Sequence, residues 1–190
     1  ESVLLVGASK RQPLDLLAPG FFPGTAGSVP LEAATGEEAG FREPDGTLVY
    51  LGGNFTVSGG DVVAGTITSL GEESPATGDL YSGSGFDLAW ADYLGFRASG
   101  DSFGFVFRLL RGDDQLFGSD GPDRLVGFDG DDELDGGRGD DDVNGNVGAD
   151  TVSGGNGRDF ARGGRDDDLV RGGNGDDWHV NGNIGNDTVY

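Results

Sequence analysis

"GGNGRDFAR", residues 154–162, is the clearest copy of a unit that recurs through the second half of this chain. From residue 109 onward an aspartate returns every nine residues, at Asp114, Asp123, Asp132, Asp141, Asp150, Asp159, Asp168 and Asp177, and Asp187 follows one residue late. Two places after most of them stands a medium-sized apolar residue: Leu116, Leu125, Leu134, Val143, Val152, Ala161, Val170 and Val189. Two places before most of them stands a glycine, as at Gly121, Gly130, Gly139, Gly148 and Gly157. A disordered acidic tract would not hold apolar residues in phase with its carboxylates. The period of nine is therefore structural.

Such a unit reads as a six-residue glycine-rich turn followed by a three-residue strand whose middle side chain points inward. The strand is too short to bury a face alone, so successive copies must stack. Stacking would line the aspartates up along the turns, where like charges repel by about 1 kcal/mol or more per pair. A hard cation between them reverses the sign. Calcium takes six to eight oxygen ligands from carboxylates and carbonyls, and the repeat supplies both. An EF-hand reading of "DDELDG", Asp131–Gly136, fails because Asp142 stands where the closing glutamate belongs.

The pattern resembles the RTX (hemolysin-type) nonapeptide repeat, G-G-x-G-x-D-x-U-x, over about Leu109–Tyr190. That resemblance implies a parallel β-roll, with alternate turns on opposite sides and calcium held between turns of the same side. The ligands it implies are the sixth-place aspartates: Asp114, Asp123, Asp132, Asp141, Asp150, Asp159, Asp168, Asp177 and Asp187. Carbonyls of the glycine turns complete the set, and copies paired two apart would give roughly seven ions. Two copies depart from the pattern. "GGRDDDLVR", residues 163–171, has Asp166 at the fourth-place glycine, and "LLRGDDQLF", residues 109–117, lacks both leading glycines.

Bulk composition agrees with a cation-collecting chain. Of 190 residues, 39 are glycine, about three times the usual share. The net charge of -22 argues against nucleic acid and anionic lipid as partners. Without cysteine there is neither a disulfide framework nor a thiolate metal site. No apolar run is long enough to span a membrane. The chain begins at Glu1 and has no methionine, and is read as a processed form or a piece of a longer protein.

Residues 1–108 differ from 109–190, holding most of the phenylalanines, three of four tyrosines and six of seven prolines. This half is expected to be a small β-rich capping module with one or two short helices, so the fold class is mostly all-β. "TLVYL" (47–51), "NFTVS" (54–58) and "GTITSL" (65–70) read as separate antiparallel strands. "FDLAWADYLGF", Phe86–Phe96, reads as a helix with Asp87 as N-cap. "DSFGFVFRLL", Asp101–Leu110, is ambiguous: Phe103, Phe105 and Phe107 alternate as in a strand, while Phe103, Val106, Phe107 and Leu110 fit a helix, the preferred reading because Asp101 or Ser102 could cap it. This half is also similar to the leader that precedes RTX repeats in many secreted bacterial proteins, which implies a structural role.

No catalytic motif stands out, and an enzyme is not expected within these residues. The single histidine, His179, cannot supply H-E-x-x-H. "YSGSGF", Tyr81–Phe86, misses the spacing of a nucleophile elbow. "RGD" at Arg111–Asp113 and Arg138–Asp140 shares one repeat phase and follows from arginine in the third place. The sequons at Asn54 and Asn186 carry little weight for a bacterial-type chain. The expected function is that of a secreted calcium-binding protein with a structural, surface-layer or adhesive role. The resemblance implies type I secretion and folding on calcium outside the cell, with possible self-association. The alternative is the tail of a secreted RTX protease or lipase whose catalytic domain lies elsewhere. Finally, "GGNGDDWHV", residues 172–180, puts His179 in an inward slot, while the next copy starts one residue late. A local bulge is expected, with Val180 taking the core slot and His179 turned outward.

Overall fold

The computed structural model describes residues 4–7, 31–35, 37–42, 48–58, 61–74, 78–99 and 102–190. In chain order they form β1 (Leu4–Gly7), β2 (Leu31–Ala34), β3 (Glu38–Arg42), β4 (Leu48–Ser58), β5 (Asp61–Ser74) and β6 (Gly78–Ala89). Helices α1 (Trp90–Ser99) and α2 (Ser102–Leu109) follow. The repeats then give β7 (Gln115–Phe117), β8 (Arg124–Asp129), β9 (Glu133–Asp135), β10 (Asp142–Val147) and β11 (Thr151–Asn156). They close with β12 (Phe160–Arg165), β13 (Leu169–Asn174), β14 (His179–Ile184) and β15 (Thr188–Val189). The chain is mostly β and divides into two compact units, one holding β1 and Leu110–Tyr190, the other β2 to α2.

In the unit from β2 to α2, the strands pair in sequence as an antiparallel meander. The two runs expected as separate strands, 47–51 and 54–58, are one strand, β4. Thr47 lies outside the described residues. A register shift at Gly52/Gly53 lets β4 pass through the glycine pair without breaking. Only glycine fits there: a Cβ on Gly53 would lie 2.0 Å from the Thr66 carbonyl oxygen.

The helix expected from Phe86 starts later. Phe86, Asp87 and Leu88 belong to β6, so Asp87 is not an N-cap. Phe86 and Leu88 are buried while Asp87 and Ala89 are exposed, a period of two that pairs Leu88 with Ile67 of β5. From Trp90 the period changes, and Trp90 and Tyr93, three apart, turn inward on α1. Helix α2 forms as expected. Asp101, one of its two expected caps, lies outside the described residues. Rings link the helices to β4: Phe55 meets Trp90 at 6.1 Å, Trp90 meets Tyr93 at 5.6 Å, and Tyr93 meets Phe105 at 5.9 Å. Such pairs add about 0.5–1.5 kcal/mol each beyond their burial.

The repeats form a parallel β-roll. β1, β7, β9, β11, β13 and β15 lie in one parallel array, and β8, β10, β12 and β14 in a second. Each nonapeptide contributes a strand to one side and the next nonapeptide a strand to the other, so one coil spans two copies. Registers confirm it, pairing Leu116 with Leu134, Leu125 with Val143, and Val152 with Val170. These apolar residues and Ala161 are no more than 1% exposed. Each buried Leu or Val is worth about 1.5–3 kcal/mol over exposure. Val189, on β15, is 45% exposed. The strands are longer than three residues in most copies. β10 to β14 each run six residues, because the leading glycines also pair with the neighbouring coil.

The stutter at 178–179 is a bulge. Trp178 and His179 both donate their N–H to the Asp159 carbonyl, where other copies make a single bond. Val180 then pairs with Ala161, one residue out of the eighteen-residue step, and takes the inward slot, while His179 is exposed.

Candidate metal centres

The turns place the sixth-position aspartates in two columns. One holds Asp114, Asp132, Asp150, Asp168 and Asp187; the other holds Asp123, Asp141, Asp159 and Asp177. Within each column a backbone N–H donates to the Oδ1 of the aspartate one coil later. Asp114 N–H meets Asp132 at 2.8 Å, Asp123 meets Asp141 at 2.7 Å, and Asp132 meets Asp150 at 2.9 Å. Asp141 to Asp159, Asp150 to Asp168, Asp159 to Asp177 and Asp168 to Asp187 repeat the bond at 2.8–3.2 Å. All nine candidates are thus brought into line. Those from Asp114 to Asp168 are buried, and Asp177 and Asp187, in the last coil, are half-buried.

The second oxygen of each carboxylate is the informative one. Oδ2 of Asp132, Asp141, Asp150, Asp159 and Asp168 is buried and accepts no hydrogen bond. Each Oδ2 is tucked beneath the first-place glycine of its own copy. A Cβ on Gly127, Gly145 or Gly163 would fall 2.1, 2.1 or 2.2 Å from it. The leading glycine therefore makes room for the carboxylate.

A buried, unpaired carboxylate oxygen is costly, and here neighbours of like charge sit about 4.8 Å along the stack. Burial, reinforced by nearby carboxylates, pushes Asp132 up to about 6 and Asp141 and Asp150 up to about 7, against the pull of the N–H bonds. Asp159 and Asp168 are raised by the same cause. A divalent cation would remove both penalties. These hard anionic oxygens are of the kind that calcium takes, while no cluster of three or more His, Cys, Asp or Glu side chains gathers among the described residues. Successive aspartates of a column offer two carboxylates, and an ion between them would fill its remaining positions with carbonyls or water, which calcium accepts.

Other acids do different work. At the fifth position, Asp113, Asp131 and Asp140 accept N–H bonds from Asp131, Ala149 and Arg158 one coil on. Asp140 also pairs with the Arg158 side chain at 3.2 Å, which with the N–H bond holds its carboxyl below the usual range. Asp142 pairs with Arg124 at 3.6 Å and closely with Arg162 on the outer face of the roll. The Arg138 of one "RGD" pairs with Asp120 at 3.7 Å. Among the described residues the His179 ring meets the Asn181 amide, at 3.4 Å, and joins no carboxylate column.

Sequence reasoning missed one contributor, Ser119. Its N–H donates to Asp123 Oδ2 at 2.6 Å, and its hydroxyl lies 3.1 Å from both oxygens of that carboxylate. The signal was present as a serine in a second place that later copies fill with glycine, asparagine or phenylalanine.

A family model, the RTX calcium-binding nonapeptide repeat (4 copies), matches residues 110–143 and 144–178. Among curated proteins and solved structures nothing matches the chain.

Proposed function

Because residues 110–178 are RTX calcium-binding nonapeptide repeats, we propose that this chain belongs to a secreted protein of structural, surface-layer or adhesive role. It leaves the cell by type I secretion and folds when it meets external calcium. The observation that carries this reading is the set of five buried carboxylates in the two columns, Asp132, Asp141, Asp150, Asp159 and Asp168, whose Oδ2 atoms accept no hydrogen bond. Asp114, Asp132, Asp150, Asp168 and Asp187 on one side, and Asp141, Asp159 and Asp177 on the other, would hold the ions. Metal-free, the array is strained by desolvated like charges in a chain of net charge -22. Calcium converts that strain into cross-links between coils, so binding and folding are linked. Extracellular modules with affinities on the order of 0.1–1 mM suit such a switch.

A structural role follows from the regularity of the roll: its buried polar groups are committed to stacking one coil on the next. Calcium added to chelated protein is expected to raise β-type circular dichroism cooperatively. An unchanged spectrum up to about 10 mM, above the weak end of extracellular sites, would refute the calcium reading.

A further inference from the structure

Asp123 is the exception in its column. It is 4% exposed, as buried as its counterparts, yet its Oδ2 accepts the Ser119 N–H and both its oxygens contact the Ser119 hydroxyl. The same hydroxyl accepts the Gly121 N–H at 3.0 Å, and Ser119 itself is buried. The turn Gly118–Asp123 is thereby closed from within, and Pro122 stiffens it by fixing its own φ.

The backbone departs from the later copies as well. Second-place residues Phe128, Gly137, Asn146, Gly155, Gly164, Gly173 and Asn183 all have positive φ, between 75° and 137°, and Ser119 does not. The hydrogen bonds around Ser119 therefore go with a different turn conformation. They place two donors where the other carboxylates present a bare oxygen. A donor hydrogen and a cation compete for the same lone pairs. Displacing the donors would leave a buried N–H and a buried hydroxyl to be satisfied again, each costing about 1–3 kcal/mol.

We propose that Ser119 closes this turn in place of a cation, so that the Asp123/Asp141 pair takes no calcium and the column from Asp123 to Asp177 begins with a metal-independent turn. Asp141 still serves the next pair, with Asp159. The inference rests on the calcium reading above, and its consequence is an array with one ion fewer than its seven N–H to Oδ1 links suggest.

The test counts bound calcium per chain, by elemental analysis after gel filtration in calcium, for the unaltered protein and for D123N, D150N and S119G. D123N should match the unaltered count, and D150N should lose at least one ion. S119G, which removes the hydroxyl and allows the backbone of the other copies, should gain one. In saturating calcium, the Ser119 amide of the unaltered protein should stay protected from hydrogen exchange because its bond to Asp123 Oδ2 persists, a readout that does not depend on the folding of either variant. Loss of an ion in D123N, an unchanged count in S119G, or an unprotected Ser119 amide would each overturn the proposal. An unaltered protein that binds no calcium would instead overturn the calcium reading itself.

Discussion

At Asp166 the backbone is held at φ 80°, in the fourth place that Gly130, Gly139, Gly148, Gly157 and Gly175 fill with φ between 128° and 153°. The glycines approach the preceding coil so closely that a Cβ on Gly148 would lie 1.9 Å from the Gly130 carbonyl oxygen. Asp166 avoids that clash only by adopting left-handed geometry, which costs an L residue about 1–2 kcal/mol. Glycine would remove this strain and a charge beside Asp167 and Asp168, while adding about 0.4–1 kcal/mol of unfolded-state entropy. D166G should therefore stabilise the calcium-loaded roll by about 0.5–1 kcal/mol, seen as a melting midpoint a few degrees higher. A lower midpoint would mean that the Asp166 side chain makes a favourable interaction of its own. The departure at Asp166 was legible in sequence, as were the sixth-place carboxylates, because a fixed period determines both. The N–H to Oδ1 ladder and the Ser119 closure were not, since they depend on which donor lies one coil away and on the reach of one hydroxyl.

Elements follow the same division. Strands in the roll were legible because each carries one inward residue in strict phase, from Leu116 to Val170. Their length was not, because glycines with poor strand propensity are recruited by the ladder of the adjacent coil. In the other unit, Phe86 and Leu88 have a spacing compatible with either a short strand or the first turn of a helix, and pairing with Ile67 on β5 decided it. Likewise Gly52–Gly53 looks like a break between strands, yet a register shift absorbs it. The bulge at Trp178–His179 was legible because insertion of one residue must either flip the core set or be absorbed locally. Deletion of His179 should therefore be tolerated: it restores the eighteen-residue step and keeps Val180 inward. Deletion of Thr151 has no bulge to absorb it and should turn Val152 away from the core. Calcium titrations followed by circular dichroism should show a preserved transition for the first deletion and a lost one for the second. Equal loss in both would show that the bulge is required for folding.

For the whole molecule, the two carboxylate columns couple folding to pH with a sign that depends on calcium. Asp132, Asp141 and Asp150 titrate near 6 to 7 in the metal-free roll, against 3.8 for an ordinary aspartate. Folded carboxyls with raised values bind protons more tightly than unfolded ones, so the unfolded state binds fewer protons throughout this window. Metal-free stability is then fully present below about pH 4 and is lost as pH climbs through about 7. Lowering the pH also reduces the net charge of -22 and its self-repulsion, which acts in the same direction. Calcium reverses the dependence, because it requires the ionised form and must displace any proton held there. Circular dichroism in chelator should therefore show more β structure at pH 5 than at pH 8. The calcium concentration at half-transition should be lower at pH 8 than at pH 6. Metal-free structure that grows as pH rises would mean that the buried carboxylates are already ionised and satisfied without an ion. The requirement for calcium would then lie outside the two columns.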